Sequence, residues 1–437
     1  MIAIKSKFLI SSVDEIHVDY AVVIENETIK DILPNDKLKN KYPDVEVIDK
    51  SNSIVMPGFI NGHMHQYGVL SRGIPANVEF KDFEGFLNDY WWPFIENRIG
   101  LKEVKATTVA SAIELIESGV IGFCDTLEAP NTEDGTLIEQ GKIIEKLGMK
   151  AVVSLESCER INQENGIRCL KENSDLIKWS RENSQLISGM ICTHTSFTCS
   201  ASFIKEAKKL SLELNVPMQF HLSESIYEPN YTSKYFETKP LKYYNDLGVL
   251  DRNVLASQCV KVDEEEIEIL NDRGMKVVHM PLSNCEVGGG FSPVQKMLDK
   301  GIKVALGTDG YINDFFEVMR GAFLIHKSVQ EDTTVMSAKT VLQMATEHGA
   351  HVLDLKDSGK LIVGNKADVI VLENKFKTPV NLGNIYDQIV VHGRKEFVSD
   401  VFINGKRVLN EYELFEIDKK SVEDEMRKVA EDFWKFN

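Results

Sequence analysis

Apolar and polar positions along the chain follow two regimes. From residue 2 to about 55, short apolar runs are cut by turn residues, which predicts strands at 2–10, 20–25, 28–33 and 45–49. The stretch 360–408 reads the same way. Examples are Ala367-Asp368-Val369-Ile370-Val371-Leu372 and Asp400-Val401-Phe402-Ile403-Asn404-Gly405, the second ending on an Asn-Gly turn signal. Between these regions apolar runs alternate with amphipathic helical stretches such as 264–273 and 293–300. Eight strands are predicted there, at 54–61, 120–126, 150–157, 187–194, 217–224, 254–260, 276–282 and 303–309. Eight is the number that closes a (β/α)8 barrel. The expected fold is α/β, a (β/α)8 TIM barrel over 56–357 with a small β-sandwich domain built from both termini, 1–55 and 358–437. The second terminal part closes with a charged helix at 421–435.

In such a barrel the reactive groups sit at the C-terminal ends of the strands. His65, His194, Glu224, Gln258, His279 and Asp309 all fall at or near predicted strand ends. His63 and His65 are two apart, so a regular strand turns both to one face. Two imidazoles pointing into a barrel interior are costly unless something binds them, and a metal does. His221 and Asp309 complete an N3O set suited to one divalent ion, zinc first, with iron or manganese as alternatives. Such an ion makes hydroxide available near neutral pH. Glu224, three residues beyond His221, is placed as the proton carrier, a task that needs a carboxyl pKa raised by a dry pocket. Asp309 is placed both as a ligand and as acceptor of the water proton.

Composition narrows the partners. The 437 residues carry a net charge of −17, which repels nucleic acid and anionic lipid, and no basic stretch reverses this locally. No apolar run is long enough to span a membrane, and the first residues lack a signal-peptide layout. The seven cysteines are scattered without a CxxC pair, which argues against a disulfide framework or a structural zinc site. The expectation is a cytoplasmic protein acting on a small molecule, with no nucleic-acid or membrane partner.

Four segments carry a resemblance. They are Pro57-Gly58-Phe59-Ile60-Asn61-Gly62-His63-Met64-His65, His221-Leu222-Ser223-Glu224, Val278-His279-Met280-Pro281-Leu282-Ser283-Asn284 and Leu306-Gly307-Thr308-Asp309-Gly310. With Lys366-Ala367-Asp368-Val369 near the end, they make the chain similar to the amidohydrolase superfamily over nearly its whole length. The branch it resembles is that of adenosine-type, guanine and triazine deaminases and chlorohydrolases. The resemblance implies a mononuclear barrel that attacks the amine-bearing carbon of a nitrogen heterocycle of purine, pyrimidine or triazine type, with ammonia leaving. No lysine stands in a ligand-like setting on the fourth strand, which argues against the two-metal branch. His194 resembles a substrate-contacting histidine, although it could instead cap the following helix, as Ser200 could. His279 is placed either against the substrate ring or behind it as a buried, satisfied histidine. Barrel relatives are commonly oligomeric, so a homo-oligomer is expected.

Departures from the branch bear on the substrate. The sixth strand usually ends in His-Cys-Val; here it reads Ser257-Gln258-Cys259-Val260, and Gln258 can orient substrate but cannot titrate. Relatives that handle adenosine nucleosides carry an arginine near the end of the third strand, where this chain has Leu155-Glu156-Ser157, and Glu286 stands where a lysine is common. A carboxylate-bearing nucleoside such as S-adenosylhomocysteine fits these changes poorly; a neutral or cationic heterocycle fits better. The aromatic segment 77–99 reads equally as a lid that stacks on a flat ring or as a helix packed on the barrel. Arg72 and Arg168 are possible substrate anchors, the latter from a neighbouring subunit, with an ordinary solvated arginine as the default for each. Two other readings stay open: hydrolysis of a cyclic amide or of another C–N or C–Cl bond, and a metal-binding relative without turnover.

Overall fold

In the computed structural model, which describes residues 1–436, the chain forms a barrel and one large terminal sheet. Strands Ile2–Ser12, Tyr20–Glu25, Thr28–Pro34 and Glu46–Pro57 from the beginning of the chain meet Val369–Leu372, Val398–Ile403 and Lys406–Asn410 from its end in a nine-stranded sheet. The two halves join where Val369–Leu372 runs antiparallel to Glu46–Pro57, Ile370 opposite Met56. The expected two-layer packing takes the form of this single sheet bending over on itself. Ile24 and Ile29 near one end share a buried cluster with Val369 and Phe402 near the other.

The barrel strands are Phe59–Met64, Val120–Leu127, Lys150–Leu155, a fourth strand broken at Met190 into Ile187–Gly189 and Ile191–Cys192, then Met218–Leu222, Val254–Gln258, Lys276–His279 and Val304–Leu306. They pair in parallel as a four-stranded and a five-stranded sheet. Bridges from Ser157 to Thr193 and from Met64 to Asp309 close the ring. Every residue in these strands other than Ser188 is buried, as expected of a parallel sheet covered on both faces.

The segment 54–61 is not one barrel strand. Residues up to Pro57 belong to the terminal sheet, and the barrel strand starts at Phe59. Gly58 sits at the break because a Cβ there would lie 2.2 Å from the Ile121 side chain. The strand expected over 276–282 stops at His279, and Pro281 opens a short helix, Pro281–Glu286. The terminal helix Lys419–Phe433 lies against the barrel helix Leu101–Glu117, and its Met426, Val429 and Phe433 enter the barrel's hydrophobic cluster. Among the described residues no helix is long and apolar enough to cross a membrane.

Candidate metal centre

His63 and His65 leave the first barrel strand on the same side, their Nε2 atoms 3.3 Å apart. The eighth strand is stitched to this one: Thr308 N and Asp309 N both donate to the His63 carbonyl, and His65 N donates to the Asp309 carbonyl. A Cβ at Gly307 would stand 2.7 Å from the His63 carbonyl, so only glycine admits this approach. Asp309 adopts a left-handed φ of 58°, as do Ser223 and Gln258 at the fifth and sixth strand ends. Such strained turns gather at functional strand ends because they re-aim the side chains beyond them. Asp309 Oδ1 lies 2.8 Å from His65 Nε2 and 3.5 Å from His63 Nε2. With His221 the set is complete: one ligand atom from each of His63, His65, His221 and Asp309 lies within 4.8 Å of all the others, and all four residues are buried.

Residue chemistry fits a divalent ion here. Asp309 Oδ1, buried without a well-formed hydrogen bond, faces the His63 and His65 Nε2 atoms. Unsatisfied polar atoms of this kind are rare in folded proteins and cost about 1–3 kcal/mol each. Three imidazole nitrogens and one carboxylate oxygen are a donor set that zinc and its neighbours accept.

The rest of the site steadies that set. The other oxygen of Asp309, Oδ2, accepts from Ser283 Oγ at 2.6 Å and from Gln258 Nε2 at 3.0 Å, and Asn284 Nδ2 donates to Gln258 Oε1. His65 Nδ1 meets the Thr126 carbonyl at 2.7 Å, which fixes its tautomer and turns Nε2 inward. Burial opposes a charge on Asp309, but His65 and His63 outweigh it and hold the carboxyl well below its ordinary range. Glu224 is different. Burial first, then Asp309 and Glu128, push its carboxyl well above that range. It lines the same small chamber, about 50 Å³, as His65, His194, His221 and Asp309. Burial also lowers His194 to about 4, leaving it neutral.

The chain matches the model of the amidohydrolase family over residues 54–408. It is an amidohydrolase. It is 30% identical over 416 residues to the 5-methylthioadenosine/S-adenosylhomocysteine deaminase of Carboxydothermus hydrogenoformans, covering 94% of this chain and 93% of that one. It is 31% identical, with the same coverage, to the 5'-deoxyadenosine deaminase of Methanosarcina acetivorans. An adenosine deaminase from Xanthomonas campestris, solved with bound zinc, superposes with a TM-score of 0.90 at 23% identity, over 99% of this chain and 98% of that one, which shows the shared fold. Family and ligand set together make this amidohydrolase a metal-dependent hydrolase of carbon–nitrogen bonds other than peptide bonds, a deaminase like its curated relatives.

The structure places other expected residues of the amidohydrolase less uniformly. His194 faces the chamber, with Nδ1 2.9 Å from Thr198 Oγ1, while Ser200 caps the following helix. Gln258 does not line the chamber; fully buried, it holds Asp309 rather than substrate. His279 also lies behind the chamber wall, its Nε2 3.0 Å from His326 Nε2. Arg168 is remote: its guanidinium clamps the carbonyls of Pro130 and Thr132 and the Asp134 carboxylate, so it braces a loop. Arg72 is held by both oxygens of Glu114 at 2.7 and 2.9 Å. The aromatic segment forms short helical turns over 83–94, and Phe83, Phe86, Leu87 and Trp91 roof the chamber. Beyond this roof opens a larger cavity of about 870 Å³, which shares Phe86, Trp91, Glu286 and Gly310 with the chamber.

Sequence reasoning passed over Glu128 as a site residue. Its Oε1 is 3.9 Å from His65 Nε2 and 3.8 Å from His221 Nε2, and Tyr67 donates to its other oxygen. Despite burial, His65 holds it well below the ordinary carboxylate range. It stands one residue past the second barrel strand, so the strand-end criterion that selected His194 also covers it. Tyr67, Glu96 and Arg160 behind it carried no such signal; Arg160 pairs with Glu96 at 2.7 Å under the Trp92 ring.

Proposed function

We propose that this amidohydrolase removes the exocyclic amine of a neutral adenosine-type nucleoside as ammonia, with one zinc ion held by His63, His65, His221 and Asp309. The observation that carries the reading is that Glu224 lines one small chamber with His65, His194, His221 and Asp309, where burial pushes its carboxyl above the ordinary range. A site that only binds has no need of a carboxyl poised as an acid. The names of the curated relatives, deaminases of 5'-modified adenosines, support the substrate class. Residues 56–357 carry the chemistry in this reading, and the terminal sheet braces them.

The ion, when bound, acts as a Lewis acid that makes water acidic enough to supply hydroxide near neutral pH. The side chains do the rest. Asp309, its Oδ2 tied down by Ser283 and Gln258, keeps Oδ1 turned inward and takes the water proton. Glu224 gives its proton to a ring nitrogen and takes one back from the added hydroxyl as the C=O forms, while the proton held by Asp309 passes to the amine, which leaves as ammonia. His194 contacts the ring from the fourth strand, and Phe86 and Trp91, stacked at 5.3 Å, cover it. The larger cavity takes the sugar and its 5' substituent. Among the described residues no lysine or arginine lines the inner chamber. In the outer cavity Arg72 is paired with Glu114, and Glu79, Glu114, Glu286 and Asp314 outnumber Arg72 and Lys395, so a substrate carboxylate meets a net negative lining.

Ammonia release from metal-loaded protein tests the reading. Turnover of 5'-deoxyadenosine and 5'-methylthioadenosine, with kcat/KM at least about tenfold lower for S-adenosylhomocysteine (about 1.4 kcal/mol), is expected. A ring-opened product without ammonia, or no turnover of any aminated purine, overturns it.

A further inference from the structure

Outside the four-ligand set a second triangle of buried groups lies at the same end of the barrel: Glu156 after the third strand, His194 after the fourth and His221 on the fifth. Glu156 Oε2 stands 3.9 Å from His221 Nδ1 and 3.9 Å from His194 Nε2. Both Glu156 Oε2 and His221 Nδ1 are buried without a hydrogen-bond partner. The other contacts of this trio are taken: Cys158 Sγ lies 3.6 Å from Glu156 Oε1, and Thr198 occupies His194 Nδ1. Two orphaned atoms, one a donor and one an acceptor, face each other across a gap slightly too wide for a hydrogen bond.

With its Nε2 turned to the ligand set, a neutral His221 carries its proton on Nδ1. Metal-bound histidines generally donate that second N–H to a carboxylate, a carbonyl or water, which orients the ring and raises its basicity as a ligand. His65 finds a carbonyl, that of Thr126. His221 faces Glu156.

We propose that Glu156 is the positioning carboxylate of the metal centre: it accepts the Nδ1 proton of His221 and lies against His194, so one side chain sets both a ligand and the wall that meets the substrate ring. The inference rests on the metal reading above and adds to it a residue that touches neither ion nor substrate.

The test is metal affinity, measured by chelator competition on the full chain, with cobalt(II) absorption as a view of ligand geometry. Glu156→Met removes the acceptor and Glu156→Gln keeps an oxygen to accept; burial and Glu128 push the Glu156 carboxyl up, so the variants probe the acceptor oxygen and not a charge. The expected result is a 10–100-fold weaker dissociation constant for Glu156→Met, a smaller loss for Glu156→Gln, and a shifted cobalt spectrum in both. His194→Asn should bind metal as tightly as the parent. Thermal melts of the metal-free proteins control for folding; if Glu156→Met does not fold, Glu156→Gln decides. Unchanged affinity and spectra in folded variants overturn the proposal while leaving the metal reading intact. So does uptake of two equivalents by the parent with one lost in both Glu156→Met and His194→Asn, because the triangle is then a second cation site. A parent that binds no metal overturns both readings.

Discussion

At the N-terminal end of the barrel Lys150 Nζ lies 2.5 Å from Asp368 Oδ2, Ser358 Oγ donates to the same oxygen at 2.6 Å, and Asn404 N donates to Oδ1 at 3.0 Å. At the C-terminal end an equally buried set, His63, His221, Glu156 and Asp309, leaves one polar atom of each residue without a partner. Both clusters take charge or dipole out of water, and the cost of doing so is the same physics. The lower one is closed around its charges: the Lys150 ammonium and both Asp368 oxygens have their complements inside the chain, and it ties the third barrel strand to the start of Val369–Leu372, where the chain returns to the terminal sheet. The upper one is complementary to itself only where Glu156 Oε2 faces His221 Nδ1; its four-ligand face, where Asp309 Oδ1 meets the imidazoles, is complementary to something that is not protein. A buried polar cluster that is fully paired is a brace; one that is systematically unpaired at a strand-end cavity is a binding site.

Substitutions at the two ends should therefore separate activity from stability. The largest effect is expected from Glu224→Gln, which is nearly isosteric but cannot give up a proton. Turnover should fall by about 10²–10⁴-fold with metal content and melting temperature unchanged. Near-parental rates would remove Glu224 from the mechanism. Asp309→Asn should lose metal as well as rate, because one atom set serves both. At the lower end Asp368→Ala leaves Lys150 buried and unpaired, and should cost about 3–5 kcal/mol of unfolding free energy in urea titrations. Its kcat at a temperature where the protein is folded should stay parental. A kcat loss in that variant without a stability loss would contradict the division.

Much of this contrast was legible in the residues. Apolar runs between stretches of period 3.6 located seven of the eight barrel strands, because parallel strands covered on both faces are apolar throughout; over 54–61 the end of a terminal-sheet strand and the start of the first barrel strand read as one run. His63, His65, His221 and Asp309 were legible because spacing and strand ends constrain where side chains can point. What sequence could not supply was which strand-end polar group turns into the chamber and which turns behind it. Gln258 and His279 occupy equivalent positions, yet a left-handed φ of 76° sends Gln258 to Asp309, and His326 from the helix Phe315–Gln330 captures His279. Those outcomes depend on partners 51 and 47 residues away. The contacts of Arg168 within the chain were illegible for the same reason: the Pro130 and Thr132 carbonyls that hold it belong to a loop no local pattern connects to it.

Gln258 sharpens the comparison within the site itself. Its amide bridges Asn284 and Asp309, so it belongs to the satisfied kind of buried group although it sits at the binding end. Gln258→Leu should loosen Asp309 Oδ2 without removing a ligand. Metal affinity and kcat should fall together by about 10–100-fold, and KM should move little, since the side chain does not line the chamber. A change confined to KM would instead return Gln258 to the substrate.

The smallest expected effect concerns the pair behind the site. His279 and His326 share one hydrogen bond as neutral rings, and burial lowers His326 to about 4 from an ordinary value of 6.5. Below about pH 6.5 the unfolded chain takes up this proton, while the folded chain does not until about pH 4. Stability therefore falls as pH drops through that window, by at most about 1.4 kcal/mol per pH unit from this group. His326→Gln keeps a partner for His279 and removes the titration. Its unfolding free energy between pH 6.5 and 5 should decline less steeply than the parent's by up to one proton, read from denaturant titrations at matched ionic strength. Equal slopes would mean that His326 is already charged in the folded protein, and that this pair, too, is waiting for a counter-charge instead of being complete.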